Sequence, residues 1–160
     1  MNTQVELQMS VHRAVDVPLS AQLAFELFAN RMAAFWPETH TIGASPIAEV
    51  RIEPHVGGRW FERGVDGSEC TWGRVSTWSP PERLVLVWQI AVDWTYDPTL
   101  ETEVEVTFTE QAAGRTRVEV THRGLENYGG QAAEMHAVYG SDSGWGGILG
   151  RLVAAASEGR

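Results

Sequence analysis

Apolar and polar positions change period twice along this chain. "SVHRAVDV", residues 10–17, reads as a first strand that ends at Pro18. "SAQLAFELFAN", 20–30, then takes helical spacing, with Leu23, Phe25, Leu27 and Phe28 apolar and Ser20 as its N-cap. The pattern continues through Met32 to Phe35 until Trp36-Pro37 breaks it, and 37–47 reads as a loop. From "AEVRIEP" onward the period is two. "GGRWFERG", "ECTWGRVSTW", "RLVLVWQIAV", "ETEVEVTFTE" and "RTRVEVTHRG" follow, separated by "VDGS", "SPPE", "DWTYDPTL" and "QAAG". Strands joined in sequence by Gly, Pro and Asp turns predict an antiparallel meander.

Two strands state which face is buried. Val104, Val106 and Phe108 alternate with Glu103, Glu105 and Thr107; Val118, Val120 and His122 alternate with Arg117, Glu119, Thr121 and Arg123. One sheet face is therefore wet and the other needs a cover. The cover is the C-terminal stripe of Trp145, Ile148, Leu149, Leu152, Val153 and Ala156, a helix over about 142–157. The expected fold class is α+β: a curved antiparallel sheet of six or seven strands wrapped around a long C-terminal helix, with short helices after the first strand. At 160 residues the chain suits a single domain, 1–160.

That helix carries an oddity. "GWGGILGRL", 144–152, holds Gly144, Gly146, Gly147 and Gly150, each worth about 1 kcal/mol of lost helix propensity inside a helix. On a helical projection Gly146 and Gly150 form a smooth shoulder beside the apolar stripe. The shoulder either leaves space for a cavity or allows close backbone packing. The expectation is that Gly150 borders a cavity beside Trp145, on the side facing His122.

Composition narrows the function. The net charge is −9, which repels phosphate backbones and argues against nucleic acid. All twelve basic residues are arginine, which removes Schiff-base chemistry and a P-loop lysine. No apolar run approaches the roughly 18 residues of a membrane span, and "MNTQVELQ" lacks the features of a signal peptide, so the expected location is cytoplasmic, with no membrane partner. Cys70 is single, and His12, His40, His55, His122 and His136 show no ligand spacing, so no metal site and no cofactor are expected.

"GGRWFERGVDG", "WGRVSTWSPPERLVLVW", "EVEVTFTE", "TRVEVTHRG" and "SGWGGIL" occur in that order. Together they resemble the SRPBCC (START-like, helix-grip) superfamily, nearest to the bacterial relatives of the activator of heat-shock-protein-90 ATPase, over about residues 9–156. The resemblance implies a sheet gripping the C-terminal helix with a cavity between them. It implies no single activity, because its members include lipid and steroid carriers, polyketide cyclases and co-chaperones.

The candidate cavity residues follow from side-chain parity. Tryptophan has an apolar body and one N–H donor, which suits a cavity wall. Trp60, Trp88 and Trp145 lie on strand or helix faces, whereas Trp36 and Trp94 lie in or beside loops, where they would cover a mouth. His122 shares the face of Val118 and Val120; Glu62 has the parity of Trp60, and a register slip by one would turn it outward. The set is Trp36, Trp60, Glu62, Trp88, Trp94, His122, Trp145, Gly146 and Gly150, with no catalytic residue assigned. His40 reads either as a residue at the pocket mouth or as an ordinary loop histidine, and Arg59, Arg63, Arg74 and Arg83 as a solvated face.

Three functions remain open. The leading one is a binding module for a small hydrophobic or aromatic ligand, which needs only volume and an apolar lining. The alternatives are a cyclase- or hydrolase-like enzyme using His122 and Glu62 as acid and base, and a protein-binding regulator of an ATPase chaperone. A monomer and a homodimer are both compatible with the sequence.

Overall fold

The computed structural model describes residues 9–158. The elements are β1 (Val11–Val17), α1 (Ala21–Asn30), β2 (Ile47–Ile52), β3 (Arg59–Gly64), β4 (Glu69–Ser79), β5 (Arg83–Trp88), β6 (Thr102–Ala112), β7 (Arg115–Arg123), α2 (Ala132–Gly140) and α3 (Trp145–Glu158). The N-terminal "MNTQVELQ" lies outside the described residues. No helix among the described residues is long and apolar enough to cross a membrane.

The seven strands form one antiparallel sheet in the order β1-β7-β6-β5-β4-β3-β2. Strands β2 to β7 are a simple meander, and β1 adds to the edge of β7. The sheet curls into a half-barrel around α3. Alternation is the cause. Register pairs Val104 with His122, Val106 with Val120 and Phe108 with Val118, all buried on the concave side. Their neighbours form charge pairs on the outer side: Arg123 reaches Glu103 at 3.0 Å and Glu105 at 2.8 Å. Arg63 bridges Glu49 and Glu69, while Arg59, Arg74 and Arg83 pair with Glu69, Glu101 and Glu105. Such exposed pairs keep the face wet and add little stability.

Two helices cap the concave side. Ser20 Oγ accepts from the Leu23 amide at 3.2 Å and starts α1, whose Phe25 and Phe28 pack on Phe108. In α3 Trp145, Ile148, Leu149, Leu152 and Ala156 are buried. The spacing predicts this stripe, and each fully buried large side chain contributes roughly 1.5–3 kcal/mol.

The structure departs from the expected elements in two places. The β5 pattern predicts a strand to residue 92, but pairing stops at Trp88. Gln89 donates its amide to Trp72 O and its side chain to Pro98 O, and Ile90 bridges Tyr96, so 89–100 folds as a loop with its own turns. The second departure is α2, a helix with no counterpart in the sequence reading. A tight turn separates it from α3, and two glycines belong to that junction. A Cβ on Gly144 would sit 2.2 Å from Tyr139 O, and one on Gly147 would sit 2.0 Å from Asp142 O. These contacts are too close for any side chain, so close backbone approach accounts for half of the glycines in "GWGGILGRL".

Candidate functional site

A cavity of about 270 Å³ opens at the N-terminal end of α3. The sheet supplies Trp72 from β4, Trp88 from β5 and Ile90 just beyond it. α2 supplies Val138 and Tyr139; α3 and its cap supply Gly144, Trp145 and Ile148. Trp36 follows the 3-10 turn at Met32–Ala34, and Thr39 to Ile42 come from the loop after it. Trp94 stands at the rim, 44% exposed and with φ 63°. A left-handed backbone at a bulky residue is strained, and such strain concentrates at binding and active sites.

The tryptophans form a connected cluster of tilted and edge-on rings. Ring centroids lie 4.9 Å apart for Trp36–Trp72, 6.1 Å for Trp36–Trp145 and 6.4 Å for Trp36–Trp88. Trp60 lies behind this wall, 5.3 Å from Trp88 and 5.4 Å from Trp72. A bulge makes the arrangement possible: Trp60 pairs with Gly73 and Phe61 with Thr71, which leaves Trp72 as the extra residue on β4.

Four of the wall indoles turn their N–H groups into the protein. Trp36 donates to His40 O at 2.9 Å, and Trp72 donates to Glu62 Oε1 at 2.9 Å. Trp88 donates to Tyr139 Oη at 2.9 Å, and Trp145 donates to His122 Nδ1 at 3.1 Å. The cavity is therefore lined largely by ring surface.

Glu62 faces inward and is buried. Besides Trp72 it accepts from the Ile42 amide at 2.8 Å and from the Thr41 hydroxyl. The carboxylate thus grips the loop that forms one cavity wall. His122 is fully buried behind Trp145. Because its Nδ1 accepts from an indole N–H, its Nε2 carries the proton and donates to Thr102 Oγ1 at 2.8 Å; Thr102 in turn donates to Trp88 O at 3.0 Å. Burial pulls its pKa from the ordinary 6.5 down to about 3. A parallel chain runs from Trp88 through Tyr139 and Tyr128 to Ile90 O. Burial pushes both phenols above their ordinary range.

Of the residues expected at the site, Trp36, Trp88, Trp94 and Trp145 line the cavity. Trp60, Glu62 and His122 stand behind it, joined to the wall by ring contacts or hydrogen bonds. Gly146 and Gly150 are exposed, and a Cβ on Gly150 would meet nothing within 4 Å. The expectation that Gly150 borders the cavity is corrected here: the cavity lies against the first turn of α3, over Gly144, Trp145 and Ile148, and the glycine shoulder faces solvent. Trp72, His40, Thr41 and Tyr139 line the cavity and were absent from the expected set. The "TWG" of β4 carried a signal for Trp72, whereas nothing local marked Tyr139. Among the described residues no three His, Cys, Asp or Glu side chains cluster as a metal site would need.

A family model described as Activator of Hsp90 ATPase homolog 1-like protein matches residues 19–157. Among solved structures, the anthrahydroquino-gamma-pyrone synthase Txn09 is 36% identical, with a TM-score of 0.65 over 91% of this chain and 96% of that one. The self-sacrificing resistance protein CalC from Micromonospora echinospora is 27% identical, with a TM-score of 0.67 over 94% of this chain and 95% of that one. A protein from Nitrosomonas europaea, 12% identical with a TM-score of 0.69 over 96% of this chain and 97% of that one, shares the fold. No curated protein matches the sequence.

Proposed function

The chain belongs to the Activator of Hsp90 ATPase homolog 1-like protein family, and from that premise we propose that it is a binding module for a planar, largely apolar aromatic molecule held between the sheet and α3. One observation carries the reading: five indole rings and Tyr139 surround a cavity of about 270 Å³. That volume is near the lower end of the roughly 300–1,000 Å³ of ligand pockets and suits a few fused rings. Aromatic rings favour offset or edge-on contacts with another flat π-system. The similar synthase is named for a fused aromatic product, which supports the same ligand class.

That synthase also favours a second reading, an enzyme acting on such a ligand. Against Glu62 and His122 as its acid and base stands the engagement of their polar atoms by protein partners. Regulation of an ATPase draws on the family's name alone, since the outer sheet face carries paired charges.

Titration with 2-methylanthraquinone, followed by quenching of tryptophan fluorescence, tests the binding reading. Saturable quenching is expected for the natural protein, with at least a tenfold loss of affinity in Val138→Trp, which fills the cavity from a partly exposed position. Unchanged affinity in a folded Val138→Trp protein would reject this site.

A further inference from the structure

Besides Tyr139, the hydroxyl and imidazole side chains of the cavity wall come from two segments. Thr39, His40 and Thr41 come from the loop after Trp36, and Ser143 comes from the α2–α3 junction. The rest of the wall is aromatic and aliphatic. Thr41 Oγ1 is already bound to Glu62 and to the Gly43 amide, and Ser143 Oγ to Ser141 Oγ. Tyr139 Oη is held between Trp88 and Tyr128.

His40 differs from these groups. Its Nε2 lies 2.6 Å from the Ser143 carbonyl, which can only accept, so Nε2 carries a proton. In the neutral ring Nδ1 is then a lone-pair acceptor. Among the described residues its one hydrogen-bond partner is the hydroxyl of Thr39 at 3.2 Å, an exposed side chain that a ligand can displace. The tautomer and the ring position are thus both fixed by the backbone of the α2–α3 junction, the same junction that requires Gly144 and Gly147. A cavity lined by aromatic rings and by one histidine of fixed tautomer suits a flat molecule with one donor on its rim.

We propose that His40 determines the specificity of this cavity: its Nδ1 accepts a hydrogen bond from an aromatic hydroxyl, so that the ligand class is a planar phenol or enol rather than a plain arene. The inference rests on the binding reading above and adds to it the chemical group that is recognised. A wall without an acceptor would favour a methyl group over a hydroxyl, because an unpaired hydroxyl loses its water on entering. A wall with an acceptor reverses that order.

The test compares 2-hydroxyanthraquinone with 2-methylanthraquinone, which are nearly equal in size. The ratio of their affinities is measured in the natural protein and in His40→Phe. The natural protein should bind the hydroxyl compound about tenfold more tightly, the worth of one good hydrogen bond. His40→Phe keeps the ring and removes the acceptor, so the ratio should fall to one or below, whatever the change does to both affinities by freeing the loop. A ratio near one in the natural protein, which needs no variant to fold, overturns the proposal. So does a tenfold preference that survives in His40→Phe. In both of those outcomes the two compounds still bind and the binding reading stands. If neither compound binds the natural protein, the binding reading fails and this inference fails with it.

Discussion

Acidification to pH 5 separates a structural His122 from a catalytic one. In the folded chain the ring is buried, its Nδ1 accepts from Trp145, and burial depresses its pKa to about 3. In the unfolded chain it titrates near its ordinary 6.5. The unfolded state therefore binds the extra proton between these values, and the fold loses stability as the pH drops. The contribution is intact above about 6.5, declines below it and levels off once the pH passes about 3. At pH 5 the loss is about 2 kcal/mol, and it depends little on the folded value so long as that stays well under 5. Urea unfolding at pH 8 and pH 5 measures the change in the natural protein and in His122→Gln, which keeps a donor and an acceptor but no titration. Exposed histidines such as His12 and His55 are common to both proteins and cancel. The natural protein should lose about 2 kcal/mol more than the variant. Equal losses would mean that His122 takes up its proton in the folded state, and would return it to the candidates for acid–base chemistry.

Substitutions at four further positions probe the architecture. Gly150→Ala should raise stability by about 1 kcal/mol in a thermal melt, since it adds helix propensity in open space; Gly147→Ala should lower it by about 1–3 kcal/mol because its Cβ meets Asp142 O. Glu62→Leu should speed hydrogen exchange of the Ile42 amide and cost about 1–3 kcal/mol for each buried N–H left unpaired, whereas Glu62→Gln should cost less. Trp94→Gly relieves a left-handed backbone, so its melting temperature should hold or rise while anthraquinone affinity falls about tenfold; a lower melting temperature with unchanged affinity would make Trp94 a packing residue.

The sheet was legible wherever one face is wet. β6 and β7 alternate from Glu103 to Phe108 and from Arg117 to Thr121, and which face of each is buried follows from that alternation. The Ser20 cap and the stripe of α3 were legible for the same reason: each is a local pattern with a local cause. The cavity wall is a different case. Val138 and Tyr139 lie on α2, where Ala132, Ala133, Met135, Ala137 and Val138 spread apolar residues around the helix and no stripe stands out. Glu62 keeps the parity of Trp60 along β3, whereas the place of Trp72 depended on a bulge in β4 set by its pairing with β3. The loop carrying His40 reads as an ordinary polar loop. It becomes a wall only because Glu62, twenty residues on, holds Ile42, and because Ser143, across the fold, holds His40. Gly146 and Gly150 illustrate the limit of a helical projection, which gives the angle around an axis but not where along the helix a cavity opens.

The central claim, an aromatic ligand at the N-terminal end of α3, is tested most directly by a crystal structure of the protein with 2-hydroxyanthraquinone. Flat density is expected inside the tryptophan cavity, against Trp88 and Trp94, with the hydroxyl within hydrogen-bond distance of His40 Nδ1. Density for a bound molecule anywhere else, with this cavity empty, would contradict it.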